Sequence, residues 1–292
     1  MRKYILGIAL AAALMCGTKS YAQYNREYFF WVGRSCMMNN DYQEAIRTLN
    51  TLLRFDEDAF EGYFLRGIAK YNLDDLLGAE DDFSTAIRLN PVYTQAYTYR
   101  AITRSRLGNY DDALQDFREA IDLRPDLPDA YYSRGYTRLQ NKQYEEAIED
   151  FDKFIFQENK VADAYIGRGT AYLYLKDTVR ALENFDQAIR TNRENPNGYY
   201  QRGTLLLQKE EYARAEADFD MSIRCDSAFL PPYFNRAVVY SNTNRPMQAL
   251  ADFDRVLQLD STNSFTYFNR AILRTQIGDY NRALDDLSLI HI

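Results

Sequence analysis

Residues 131–151 read YYSRGYTRLQNKQYEEAIEDF, and the spacing of their aromatic and small residues is typical of two packed helices. Gly135 follows Tyr131 by four residues, Ala147 follows the glycine by twelve, and Phe151 follows the alanine by four. Spacings of four place side chains on one face of a helix. The stretch therefore predicts two amphipathic helices whose backbones approach closely at the glycine and the alanine.

We predict the first of these helices over 129–141, a turn at 142–143 and the second helix over 144–157. A single hairpin of this kind cannot bury its own apolar face, whereas a stack of hairpins can. The rest of the chain should therefore contain further copies.

The same pattern returns every 34 residues. The alanine recurs at Ala45, Ala79, Ala113, Ala147, Ala181, Ala215, Ala249 and Ala283. The small residue recurs at Gly33, Gly67, Ala101, Gly135, Gly169, Gly203, Ala237 and Ala271. A constant period across most of a chain is typical of a solenoid. We predict an all-α array of eight hairpins over residues 23–286, with the eighth truncated.

This pattern resembles the tetratricopeptide repeat, and the resemblance covers nearly everything after residue 22. The aromatic, small, alanine and aromatic positions of that motif are Tyr131, Gly135, Ala147 and Phe151 in the fourth repeat. The resemblance implies a right-handed α-solenoid of helix-turn-helix repeats. It also implies a concave groove, lined by the first helix of each hairpin, that binds extended peptides or other proteins.

An arginine precedes the small residue in repeats two to eight, and an Asp or Asn precedes the aromatic of the second helix in the same repeats. Repeat one has Val32 and Thr48 at these two positions, so it lacks both partners. We therefore predict a pair across each hairpin, with the arginine stem in the packing layer and its charged head on the acceptor. The pairs include Arg66 with Asp82, Arg100 with Asp116, Arg134 with Asp150, Arg202 with Asp218 and Arg236 with Asp252. The alternative is an arginine ladder that binds an acidic ligand.

The resemblance places the ligand groove at the first-helix positions that flank the arginine. The candidate groove residues are Tyr99, Tyr132, Tyr136, Tyr200, Gln201, Phe234, Asn235, Phe268 and Asn269. In one interpretation the rings stack on partner side chains and the amides bind the partner backbone. In the other, the rings only pack neighbouring helices together. Because aromatic and amide residues occupy these positions, we predict no clamp for a C-terminal carboxylate.

The first 22 residues have the layout of a secretory signal peptide. Arg2 and Lys3 precede an apolar run, and Ala22 supplies a small residue at the predicted cleavage site. We therefore expect an exported protein of a Gram-negative periplasm, with no transmembrane segment after cleavage. Cys16 offers a less favoured alternative, a lipid anchor, because the bulky Met15 precedes it.

The composition disfavours nucleic-acid binding and most catalysis. The formal net charge is −7, and nucleic-acid binding relies on clustered Lys and Arg. His291 is the only histidine in the chain, and the residues show no metal-ligand spacing and no phosphate-binding glycine loop. We expect no cofactor and no enzymatic activity.

The last six residues, LSLIHI, depart from the endings of the earlier repeats. They match the translation of CTGTCTCTTATACACATC, the end sequence of transposon-made sequencing libraries. We therefore interpret residues 287–292 as a non-native, adapter-derived tail on a truncated gene. An uncapped apolar face at that end would allow self-association.

These features favour a non-catalytic scaffold that binds a protein or peptide partner. The alternative is a periplasmic sensory or substrate-docking arm of a larger receptor or enzyme. A third, weaker hypothesis is a role in cell-envelope assembly through a lipid anchor at Cys16.

Overall fold

The computed structural model describes residues 19–290, and the side chains from residue 26 on; these residues form sixteen helices and no strand. The helices are α1 (Lys19–Met38), α2 (Tyr42–Phe55), α3 (Phe60–Asn72), α4 (Leu76–Leu89), α5 (Thr94–Arg106), α6 (Tyr110–Leu123), α7 (Pro128–Gln140), α8 (Tyr144–Gln157), α9 (Ala162–Tyr174), α10 (Thr178–Thr191), α11 (Pro196–Gln208), α12 (Tyr212–Cys225), α13 (Pro231–Asn242), α14 (Pro246–Leu259), α15 (Ser264–Gln276) and α16 (Tyr280–Ser288). Odd-numbered helices are called A helices and even-numbered ones B helices. The all-α prediction is confirmed, and in repeat four α7 begins and ends one residue earlier than predicted.

The described part of the chain divides between residues 141 and 142 into two compact units. The first unit contains α1–α7 and the second contains α8–α16. Within each unit successive helices pack against each other, and most A helices also contact the A helix of the next hairpin. This tandem packing of hairpins is the arrangement of an α-solenoid of tetratricopeptide type.

The repeated alanines and aromatics form the layer between the two helices of the hairpins that lie within one unit. Six phenylalanines are at most 2% exposed, and these are Phe83, Phe117, Phe151, Phe185, Phe219 and Phe253. In repeats two, five and six the glycine of the A helix lies under this ring. A Cβ added to Gly169 would lie 2.7 Å from Cε1 of Phe185, so the close approach leaves no room for a large side chain.

Each turn from an A helix to its B helix contains one residue with a positive φ. This residue also recurs every 34 positions, as Asn40, Asp74, Gly108, Lys142, Lys176, Glu210, Asn244 and Gly278. In the fifth repeat, the N–H of Asp177 donates to the carbonyl of Tyr172 at 2.9 Å. A left-handed residue closed by this bond is a common helix ending, and glycine is favoured there. Most of these turns are built without glycine, which is why the sequence pattern did not reveal them.

The predicted signal peptide, residues 1–22, lies outside the described residues except for residues 19–22, which belong to α1. The predicted adapter-derived tail begins inside α16, and its last two residues lie outside the described part of the chain.

Candidate functional site

The arginines that precede the small residue in repeats two to eight are called the arginine row, and Arg202 illustrates their geometry. Its Nε and Nη2 donate to the two carboxylate oxygens of Asp218 at 2.8 and 2.6 Å, and its Nη1 donates to Asp186 at 2.6 Å. Two parallel bonds to one carboxylate are the strongest geometry available to a guanidinium. The hydrogen bonds with Asp218 raise the pKa of Arg202, so this arginine stays charged.

The two-bond contact recurs at distances of 2.5–3.0 Å for Arg66 with Asp82, Arg100 with Asp116, Arg236 with Asp252 and Arg270 with Asp286. Arg168 donates from Nε to the amide oxygen of Asn184 at 2.8 Å. Arg134 and Asp150 belong to different compact units, and their pairing stays a prediction.

Each arginine of these six repeats also contacts the B helix of the preceding hairpin. The second acceptor lies sixteen residues earlier and is Asn50, Ser84, Asp152, Asp186, Asp220 or Asp254. The corresponding residue ahead of Arg134 is Arg118, which donates to Gln115 at 3.1 Å. One guanidinium thus links two hairpins, a contact that the residues of a single hairpin do not predict.

Further contacts surround these ion pairs. Six of the arginines lie over a tyrosine three residues earlier, at 5.3–5.7 Å from the ring centroid: Tyr63, Tyr97, Tyr131, Tyr165, Tyr233 and Tyr267. Lys70 and Arg104 add second cations to Asp82 and Asp116 at 2.8 and 2.9 Å. Because the arginines of repeats two, three and five to eight already contact acceptors on two helices, the row supports a structural role better than binding of an acidic ligand.

A cleft of about 310 Å³ lies on the A helices of the first unit. Its lining residues come from α3, α5 and α7 and from Leu127, which directly precedes α7: Tyr71, Gln95, Thr98, Tyr99, Ile102, Leu127, Asp129, Tyr132 and Ser133. Two predicted groove residues, Tyr99 and Tyr132, therefore line one cleft. Tyr136 packs edge-on against Tyr132 with ring centroids 5.0 Å apart, which orients the Tyr132 ring.

Tyr99 forms one wall of this cleft. Its ring packs edge-on against Phe64 at 5.4 Å, so its position is set by the core of repeats two and three. Burial raises the pKa of Tyr99, and the negative charge of Asp129 adds to that increase. The cleft thus combines fixed aromatic rings with one nearby carboxylate.

The predicted groove residues of the second unit are mostly used in packing. Tyr200 meets Phe229 edge-on at 5.4 Å, and Phe234 lies 5.2 Å from Phe265. Asn235 donates to Thr204 Oγ1 at 3.1 Å and so connects two A helices. These contacts favour the interpretation in which the rings and amides join neighbouring helices.

The remaining candidates differ in their surroundings. Gln201 makes no hydrogen bond to any described residue, and Asn269 donates to the carbonyl of Phe265 in its own helix at 2.7 Å. Phe268 is 48% exposed in the last hairpin, beside the exposed Ile272. Self-association through this apolar face stays a prediction.

No group of three or more metal-ligating side chains occurs within the part of the chain that the structure describes. Among the helices of residues 19–290, none is both long and apolar enough to cross a membrane.

Comparison with protein families identifies the repeat. A family model described as tetratricopeptide repeat matches residues 33–94 and 166–228, and one described as TPR repeat matches residues 104–142. No curated protein matches the chain.

Solved structures share the fold at low sequence identity. A tetratricopeptide repeat protein from Parabacteroides merdae has a TM-score of 0.69 and 18% identity, covering 92% of this chain and 100% of that one. PilF of Pseudomonas aeruginosa has a TM-score of 0.61 and 18% identity, covering 72% of this chain and 96% of its own. The C-terminal part of a TPR repeat-containing protein from Cytophaga hutchinsonii has a TM-score of 0.60 and 21% identity, covering 81% and 97%. Together with the matched repeats, the stacked hairpins establish that this chain belongs to the tetratricopeptide repeat family of protein-interaction scaffolds.

Proposed function

We propose that this chain is a non-catalytic scaffold that binds an extended peptide segment of a partner protein in the cleft formed by α3, α5 and α7. The observation that carries this proposal is the cleft of about 310 Å³ on the A helices, lined by the half-buried rings of Tyr99 and Tyr132. Clefts of this size with aromatic walls and a few polar groups suit one or two side chains of a bound segment. The proposal therefore assigns the main recognition site to the first unit.

The lining chemistry supports an apolar anchor. Tyr99 and Ile102 present apolar surface from α5, and Tyr132 presents a ring from α7. Gln95 and Ser133 add polar groups at the edges, where they can bond a peptide backbone. None of the nine lining residues is Lys or Arg, so the cleft lacks the cations that a terminal carboxylate requires.

Selection of twelve-residue peptides from a random phage library tests this proposal. We expect Tyr132→Ala to weaken the selected peptides about tenfold, because truncating an aromatic anchor at a binding centre costs more than 1 kcal/mol. Affinity would be measured by fluorescence polarisation on the full chain. Tyr280→Ala is the control, since Tyr280 is 64% exposed on α16 and belongs to the second unit. Equal affinity for both variants and the parent chain would contradict the proposal.

We also propose that the protein is exported to a Gram-negative periplasm. The support is the basic, apolar and small-residue order of residues 1–22. After expression in a Gram-negative host, mass spectrometry should find a mature chain that begins at Gln23. A lipid-modified N-terminal Cys16 would favour the anchored alternative, and a retained Met1 would contradict export.

A further inference from the structure

The cleft of the first unit combines features that suit a cation. Three of its lining residues, Tyr71, Tyr99 and Tyr132, are tyrosines, and Asp129 is a carboxylate. The faces of aromatic rings attract ammonium and guanidinium groups, and a neighbouring carboxylate strengthens that attraction. The cleft therefore presents rings and negative charge without a cation among its lining residues.

Asp129 has no partner of its own within the described residues, where it makes neither a hydrogen bond nor an ion pair. Burial has the largest effect on the pKa of the Tyr99 hydroxyl and raises it, and the negative charge of the nearby Asp129 raises it further. The place of Asp129 in the first turn of α7 explains why a carboxylate is favoured at this position. That helix effect does not account for the surrounding tyrosines, which line the same cleft.

The chain itself places a cation on one of these rings. The guanidinium of Arg106 lies 4.8 Å from the centroid of Tyr71, and its Nη2 donates to Asp74 at 2.7 Å. This contact occupies one face of Tyr71. Tyr99, Tyr132 and Asp129 line the same cleft, and a cation that enters it from outside would meet these groups.

We propose that the cleft binds a lysine or arginine side chain of the partner's peptide. The cationic head would lie near Asp129, and the apolar stem would lie along Tyr99 and Tyr132. This inference rests on the proposed function and adds the chemical class of the residue that is recognised. It also gives the charge of Asp129 a role that packing alone does not supply.

A series of fluorescein-labelled octapeptides, Gly-Ser-Leu-Ala-X-Ala-Leu-Gly, tests this inference on the full chain. X is lysine, arginine, norleucine or glutamate, so that norleucine keeps the stem without the charge. We expect the lysine and arginine peptides to bind about tenfold more tightly than the norleucine peptide, and the glutamate peptide to bind most weakly. Asp129→Asn should reduce lysine binding to the norleucine level and leave norleucine binding unchanged.

Asp122→Asn is the matched control, because Asp122 is an exposed carboxylate on α6 outside the cleft. It should leave all four affinities unchanged. Equal binding of the lysine and norleucine peptides, equal effects of the two Asp→Asn variants, or no binding by any octapeptide would each overturn the inference. The proposed function is judged separately, by whether the library-selected peptides lose affinity in Tyr132→Ala.

Discussion

Replacing Asp218 with leucine is expected to lower the free energy of unfolding by about 2–3 kcal/mol. The substitution removes both acceptors of the two-bond contact and leaves Arg202 only its bond to Asp186. Breaking a fully buried pair costs about 3–5 kcal/mol. We expect a smaller loss here because the Arg202 side chain is 24% exposed, so water can solvate part of the freed charge.

A double-mutant cycle separates pairing from lost packing. We expect Arg202→Leu to destabilise the protein as well, and the double variant to lose less than the sum of the two single losses. Unfolding in urea, followed by circular dichroism, provides the free energies. Arg214→Leu is the control, because its ion pair with Glu211 is exposed and should contribute less than about 1 kcal/mol. Additive losses at Arg202 and Asp218 would show that pairing between these two side chains does not stabilise the protein.

Replacing Phe185 with alanine is expected to cost about 3–5 kcal/mol. Phe185 is fully buried, and its ring lies directly over Gly169. Truncation removes the ring from a layer in which the facing helix has no side chain to fill the gap. The cost should therefore be near that of a rigid cavity.

Phe156→Ala is the matched control for this variant, because Phe156 is 92% exposed on α8. We expect it to change stability by less than about 0.5 kcal/mol. Both variants would be measured by urea unfolding. A loss below about 1 kcal/mol for Phe185→Ala would contradict the assignment of this ring to the core.

Much of the fold could be predicted from the sequence because one packing unit recurs at a fixed interval. The 34-residue spacing of Ala181 and its equivalents determines where each B helix meets its A helix. Gly169 and Phe185 indicate the same contact, since a small residue opposite a large ring is needed for close approach. Positions that recur every 34 residues could thus be assigned to the packing between helices, whereas positions that do not recur could not.

Other features could not be predicted from one hairpin alone. The acceptor Asp186 belongs to the hairpin before Arg202, so it becomes visible only when adjacent repeats are aligned in register. The left-handed turn residues escaped notice because Lys176 and Glu210 give no glycine signal. In both cases the surrounding structure determines the role of the residue, and the residue type alone does not predict that role.

The sequence predicted which positions could form the candidate site, but it did not predict which of these positions line a cleft. Tyr132 and Phe234 occupy equivalent positions in the repeat, yet Tyr132 lines a cleft whereas Phe234 packs against Phe265. One repeat earlier, the position equivalent to Tyr132 is the small Thr98, which lines the cleft, whereas the position equivalent to Phe234 is the larger Tyr200, and Phe234 also contacts Phe265. Neighbouring side chains, which the motif does not specify, thus decide between packing and binding.

The most direct test of whether the A helices of the first unit bind the ligand is hydrogen–deuterium exchange of the full chain. Exchange would be compared with and without the library-selected peptide that binds most tightly. We expect the peptide to slow exchange in α3, α5 and α7, the helices that carry Tyr71, Tyr99 and Tyr132. Slowed exchange confined to α4 and α6, or to the second unit, would contradict it.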